Sequence, residues 1–180
     1  MERLRLATVW LGGCSGCHMS FLDLDEWLID LAGRTRMVFS PLMDVKEYPE
    51  GVDLALIEGA VANEENREMI LRVRQRTRVL VSFGDCAVTG NVTALRNPLG
   101  TALEVLRPVY LEKGDRNARL PDERPTVPVL LDRVEPVHAV VPVEYYLPGC
   151  PPPAPRIRAI LEALLDGREP HLDANARKFG

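Results

Sequence analysis

The sequence predicts an α/β protein, an open parallel sheet with helices on both faces. Three observations carry that reading. The apolar runs at 4–11, 52–59 and 78–84 are short and continuous rather than alternating, as strands covered on both faces read. Stretches with helical spacing lie between them, at 18–32 and 63–75. Each run ends in a glycine turn, at Gly12-Gly13, Gly59 and Gly84. Strands that alternate with helices imply parallel pairing.

In order, "LRLATVWL" (4–11) is the first strand, closed by Gly12-Gly13. A helix follows over His18–Ala32, where Phe21, Leu22, Leu24, Trp27, Leu28 and Leu31 recur at three- and four-residue spacings and Gly33 supplies a stop. "RMVFS" (36–40) and "VDLALIEG" (52–59) are the second and third strands. Asn63 can cap a helix that runs to about Gln75. "RVLVSFG" (78–84) is the fourth strand, and the small-residue turn "DCAVTGN" leads into a short helix over Val88–Leu95. From Asn97 to Pro142, prolines at 98, 108, 121, 125, 128, 136 and 142 interrupt any period, which predicts a long irregular excursion within one domain of residues 1–180. Apolar clusters inside it, such as "VPVLL", suit packing against a partner surface or an ordinary insertion. "VEYYLP" (143–148) is the last strand, Arg156–Leu165 a helix, and the tail from His171 is polar and extended.

With 46% hydrophobic residues, the 180-residue chain can bury roughly two thirds of its unfolded surface. A formal charge of −4 gives no electrostatic footprint for nucleic acid. No run approaches the ~20 apolar residues of a membrane span. "MERLRLATVWLGG" enters a strand directly and has neither a twin arginine nor a cleavable apolar segment, so the expected location is the cytoplasm. Thiols there stay reduced, and the four cysteines therefore point to metal or redox chemistry rather than to disulfides.

Their positions sharpen that. Cys14 and Cys17 follow the first predicted strand, Cys86 the fourth and Cys150 the fifth. Carboxyl ends of parallel strands share one sheet edge, where such folds bind ligands, so thiols far apart in sequence can converge. Each also sits among small or turn-forming neighbours that let backbone amides approach sulfur. Four thiols so surrounded suit a [4Fe–4S] cluster. A structural zinc site also takes four cysteines, but zinc ribbons supply two close pairs and this chain has one pair and two isolated residues. A thioredoxin-type pair would leave Cys86 and Cys150 idle, and four unrelated buried thiols would need no site at all.

Four motifs in order, "GGCSGCHMSFL" (12–22), "IEGAV" (57–61), "GDCAVTGN" (84–91) and "LPGCPPPAP" (147–155), resemble the small subunit of a [NiFe] hydrogenase, in its flavodoxin-like cluster-binding domain. The resemblance implies one [4Fe–4S] cluster on Cys14, Cys17, Cys86 and Cys150, close to a nickel–iron centre held by a partner large subunit. Hydrogen activation would then occur on that partner, since the nickel site of the family needs two further Cys-x-x-Cys pairs. Periplasmic members carry an export signal and a C-terminal extension with two more clusters. This chain ends about thirty residues after Cys150, so the resemblance is to the soluble NAD-reducing type, in which electrons pass to the iron–sulfur clusters and FMN of a diaphorase module. The small subunit of respiratory complex I is similar in motif order but has adjacent cysteines at the first motif. Here Ser15-Gly16 separates them.

Other residues carry secondary expectations. Glu58, at the end of the third strand, could relay protons or pair with a large-subunit cation; it could equally cap the following helix or be solvated. His18 is expected at a helix start or on the surface, with a bond to cluster sulfur as the functional alternative, while His138 and His171 are ordinary polar residues. Arg67, Arg72, Arg74, Arg76 and Arg78 form a solvated face that could also meet an acidic partner. The first helix, with Phe21 and Trp27, is apolar enough to border a large subunit as well as a core. The turn that would hold an FMN phosphate is taken by Cys14 and Cys17, so flavin is expected on a partner and not here.

Overall fold

The predicted strands pair in the computed structural model, which describes residues 3–114, 118–121, 123, 126–171 and 179. The strands are β1 (Leu4–Trp10), β2 (Thr35–Phe39), β3 (Val52–Glu58), β4 (Val61–Asn63), β5 (Thr77–Phe83), β6 (Leu130–Glu135) and β7 (Tyr145–Leu147). The helices are α1 (Gly16–Leu22), α2 (Trp27–Arg34), α3 (Glu64–Arg76), α4 (Asp85–Thr89), α5 (Ala102–Arg107), α6 (Val137–Val140) and α7 (Ala154–Leu165). Five strands form a parallel sheet in the order β2-β1-β3-β5-β7. Counting only its own strands, this is the doubly wound 2-1-3-4-5 order of flavodoxin-like folds.

The period of two along each strand divides the core into two layers. Ala7, Val9, Ala55, Ile57 and Leu80 face α3, where Ile70 and Val73 are fully buried. Leu6, Leu54, Leu56, Val81 and Phe83 face the other layer, built from Phe21, Trp27 and Leu31 with Ile157, Ile160 and Leu161 of α7. Apolar residues on both sides of a strand are the reason these strands read as continuous runs.

The predicted first helix is two helices. At its middle Leu24 N donates to Phe21 O (3.3 Å) and Asp25 N to Leu22 O (3.2 Å), and Asp25 takes a positive φ of 48°. These tighter turns bring Leu24 onto the buried face with Phe21, Trp27 and Leu31. Gly33 is not the stop. It lies exposed inside α2, and the helix ends where Thr35 turns extended into β2 with its Oγ1 donating to Leu31 O (2.8 Å). A Cβ added at Gly33 would meet no atom within 4 Å. Gly33→Ala should therefore stabilise the chain by about 0.5–1 kcal/mol. For this size that is a rise of roughly 2–4 °C in Tm per kcal/mol, read by thermal denaturation; a fall in Tm would show that the position needs glycine.

Asn63 caps α3 as predicted, its side chain accepting from Asn66 N at 2.7 Å. The solvated arginine face is only partly so. Arg74 bonds the Pro142 carbonyl (3.1 Å) and the Glu144 carboxylate (3.0 Å), Arg76 pairs with Glu50 (3.0 Å) and Arg78 approaches Asp53 (3.7 Å). The first two fasten connections onto the sheet; Arg67 and Arg72 are exposed.

The predicted helix over Val88–Leu95 is replaced by α4 and a 3-10 turn at Asn91–Leu99, because Gly90 (φ 86°) and Asn91 (φ 35°) break the α-helical path. The excursion over 97–142 holds more regular structure than its prolines suggest. It contains α5, capped reciprocally by Thr101 and Glu104, then β6, which pairs antiparallel with β4, then α6. Asn97 exchanges two bonds with the backbone of Val134 (2.9 and 2.8 Å), and Arg96 donates to Ala62 O (3.0 Å) and Leu131 O (2.6 Å). The last strand is shorter than predicted. Most of the extended tail lies outside the described residues. No helix among the described residues is long and apolar enough to cross a membrane.

Candidate metal centre

The turn after β1 is clamped to the end of β3. Leu11 N donates to Glu58 O (2.8 Å), and Gly12 and Ala60 exchange both backbone bonds (2.9 and 2.7 Å). Ser15 adopts a left-handed conformation, and Gly16 N approaches Cys14 Sγ at 3.4 Å. Ser15 offers no side-chain cap to α1; Glu58 takes that role from across the sheet, accepting from Cys17 N (3.3 Å) and His18 N (2.9 Å) and pairing with His18 Nδ1. Glu58 is only 1% exposed.

Two expectations change here. Glu58 is neither solvated nor a cap for the following helix; it caps the helix that carries Cys17 and pairs with His18 Nδ1 of its own chain. His18 lies in the first turn of α1, as the helix-start expectation had it, but is buried rather than on the surface, edge-on to Phe83, and its Nε2 has no hydrogen-bond partner among the described residues. His138 and His171 are exposed, as expected.

The loops of the two isolated cysteines are bound side by side. Gly84 N donates to Leu147 O (2.8 Å) and Asp85 N to Gly149 O (2.9 Å), while the buried Asp85 carboxylate accepts from Gly149 N (2.6 Å). Asp85 thus holds the residue before Cys150 next to the residue before Cys86. Ser20 Oγ donates to Pro152 O (2.6 Å), which ties the Cys150 loop to α1. Asn91 Nδ2 reaches Cys150 Sγ (3.4 Å), and Thr93, next to Cys86, donates to Gly12 O (3.1 Å).

These contacts collect Cys14, Cys17, Cys86 and Cys150 at the carboxyl edge of the sheet, all as free thiols. Cys17 and Cys86 are buried; Cys14 and Cys150 are exposed. Burial pushes the Cys17 thiol well above its ordinary range, helped by the Glu58 carboxylate and by the other three sulfurs. The Cys86 thiol is raised too, by burial first and then, against a lowering bond from Thr93, by Cys150 and Cys14. Thiols that raise one another in this way become thiolate ligands only when cations balance them.

Among the described residues no three cysteine, histidine or acidic side chains lie close enough to hold one metal ion. The amide donors beside Cys14 and Cys150 suit the sulfide and thiolate acceptors of an iron–sulfur cluster. Asp85, Asn91 and Thr93 were not legible as site residues. The one local signal was a polar or turn-forming residue within two or three positions of a glycine-flanked cysteine turn.

Comparison with known proteins agrees with this fold. The profile of the family described as NADH ubiquinone oxidoreductase, 20 Kd subunit, matches residues 14–164. The chain is 42% identical over 174 residues to a subunit of the F420-non-reducing hydrogenase of Methanococcus voltae, covering 95% of this chain and 59% of that protein. It is 35% identical over 181 residues to the NAD-reducing hydrogenase HoxS subunit delta of Cupriavidus necator, covering 98% and 86%. The chain thus spans less than two thirds of the Methanococcus protein. A crystal structure of NAD+-reducing [NiFe]-hydrogenase in the H2-reduced state contains a chain 42% identical to this one, with a TM-score of 0.92 and coverage of 99% and 100%. One profile spans what the sequence presented as two alternatives: the chain belongs to the family of the 20 Kd subunit of NADH ubiquinone oxidoreductase, among the hydrogenase small subunits of that family.

Proposed function

We propose that this chain is the electron-transferring small subunit of a cytoplasmic NAD-reducing [NiFe] hydrogenase and holds one [4Fe–4S] cluster on Cys14, Cys17, Cys86 and Cys150. The observation that carries the proposal is the convergence of four thiols from three separate strand ends, stitched together by Glu58, Asp85, Asn91 and Thr93. Near-complete coverage in both directions of the chain from the NAD+-reducing enzyme favours that subtype. When bound, the cluster supplies one-electron transfer between a nickel–iron centre on a large subunit and the clusters and FMN of a diaphorase module. The cysteines hold the iron. Backbone and asparagine N–H groups aimed at sulfur favour the more negative state of the site, and the apolar layer beneath Cys17 excludes water.

The large subunit would dock where Cys14 and Cys150 reach the surface. Trp10 (47% exposed), at the end of β1, and Met19 (59%) and Leu22 (42%), on α1, are exposed apolar residues of the two elements that flank Cys14. Glu58, at the base of the site, is the proposed proton relay.

Purification without oxygen and analysis for iron and acid-labile sulfide should give about four of each per chain, with a broad visible absorption. Cys86→Ser should lower the iron content and abolish hydrogen-dependent NAD reduction by the assembled complex. Zinc with no visible absorption would overturn the cluster. The similarity to the Methanococcus voltae protein supports a second reading, the same kind of small subunit serving an acceptor other than NAD. Co-purification decides between them: a nickel-containing large subunit with a flavin-containing partner and NAD reduction supports the first, and a complex that leaves NAD unreduced supports the second.

A further inference from the structure

The amino end of the sheet, opposite the cysteines, carries a cavity that the proposed electron transfer does not use. The connection over 40–51, between β2 and β3, crosses one face of the sheet and contains no helix. It covers the sheet through Tyr48, which is fully buried, but leaves a hollow of about 560 Å³ over the first residues of β1 and β2. That volume falls within the ~300–1,000 Å³ of small-molecule sites.

Arg3, Arg5 and Arg36 line the hollow, with Val38, Met43 and Val45 beside them. The register of β1 on β2 sets Arg5 directly opposite Arg36, and the alternation of the strands puts both on the face of the hollow. Like charges directly opposite in a sheet destabilise it. Among the described residues neither guanidinium has a hydrogen bond or a carboxylate partner, while Arg3 donates from one nitrogen to Ala32 O at 3.2 Å. Of the carboxylates nearby in the chain, Asp53 accepts from Arg5 N (2.9 Å), Glu50 pairs with Arg76 (3.0 Å) and Asp44 lies 3.8 Å from Lys46, and none of these three bonds either guanidinium. Elsewhere in the chain, Arg34, Arg74, Arg76, Arg158 and Arg168 all have carboxylate partners.

We propose that this hollow binds a small molecule that carries a phosphate or pyrophosphate group on an apolar or planar body. The planar forks of Arg5 and Arg36 match phosphate oxygens in bidentate geometry, and an anion between them turns a repulsive cross-strand pair into two attractive contacts. Val38, Met43 and Val45 supply the apolar wall for the rest of the ligand, with methionine adapting its shape. The site lies at the opposite sheet edge from the thiols, so its occupancy is independent of cluster loading.

The test is calorimetric titration of the cluster-loaded full chain with ATP, inorganic pyrophosphate and adenosine. ATP should bind, pyrophosphate should bind more weakly, and adenosine should give no measurable heat. The double variant R5A/R36A should weaken ATP binding at least tenfold with iron content unchanged, R5K/R36K should weaken it less, and R67A, an exposed arginine outside the hollow, should bind as the parent does. Without ligand, R36A should melt no lower than the parent, which a merely structural arginine would not allow. No heat from ATP and pyrophosphate, or equal binding by R5A/R36A, overturns the proposal. So does binding of a polyglutamate peptide through Arg5 and Arg36 by a chain that ignores ATP, which would make the hollow a docking place for an acidic protein segment.

Discussion

Gly84→Ala is expected to yield a folded chain that no longer assembles the four-thiol site, with iron falling from about four per chain to below one. Gly84 sits at φ 85° and ψ 161°, a region essentially confined to glycine, where an L side chain costs roughly 1–3 kcal/mol. An added Cβ would also overlap Cys17 Sγ. The backbone cannot shift to relieve this, because Gly84 N is bonded to Leu147 O (2.8 Å) and its carbonyl accepts from Val88 N (3.1 Å), the first turn of the helix that carries Cys86. The strain therefore falls on the position of Cys17 or of Cys86. Far-UV circular dichroism should stay close to that of the parent, while iron, sulfide and visible absorption collapse. Gly33→Ala is the internal control, since the same change at an open helical position should stabilise. If Gly84→Ala took up iron as the parent does, Cys17 would not lie against Gly84 in the loaded protein, and the arrangement of the site would have to be revised.

The strands and the edge on which the cysteines gather were legible because both depend on local pattern. A strand covered on two faces writes itself as a continuous apolar run, and a turn at its carboxyl end needs glycine. What was not legible depends on register between distant strands. Glu58 meets Cys17 and His18 only because β1 and β3 pair so that Trp10 lies opposite Glu58. Nothing at position 58 alone distinguishes a cap for α1 from one for the next helix. Asp85 meets Gly149 only because β5 pairs with β7, Phe83 opposite Leu147. The excursion over 97–142 misled for the same reason. Its strand β6 pairs with β4, Asn63 opposite Leu130, across a sequence gap that no local period records, and its prolines hide the short helices on either side.

Glu58→Gln tests whether the buried carboxylate is a structural cap, a proton relay or both. The expected result is a less stable chain with reduced iron, and not a change in turnover alone. The carboxylate accepts from two backbone amides and pairs with His18 Nδ1, all in a site that is 1% exposed. Glutamine keeps the shape, but its amide nitrogen is a donor and would face a donor. Charge-assisted bonds of this kind are worth about 1.5–3 kcal/mol, and a buried donor left unsatisfied costs about 1–3 kcal/mol more. A loss of about 3 kcal/mol lowers Tm by roughly 6–12 °C in a chain of this size. Because the lost bonds hold the start of α1, Cys17 moves with them, and iron should drop with Tm. His18→Gln in the same background completes a double-mutant cycle. If the pair acts as one unit, the double variant should be less destabilised than the sum of the two single variants by about 0.5 kcal/mol or more, a coupling typical of residues in contact. A pure relay behaves differently: Tm, iron and cluster spectrum would stay at parent values in Glu58→Gln while hydrogen turnover by the assembled complex fell. Unchanged stability together with unchanged turnover would remove both roles, since a carboxylate so deeply placed would then be doing neither.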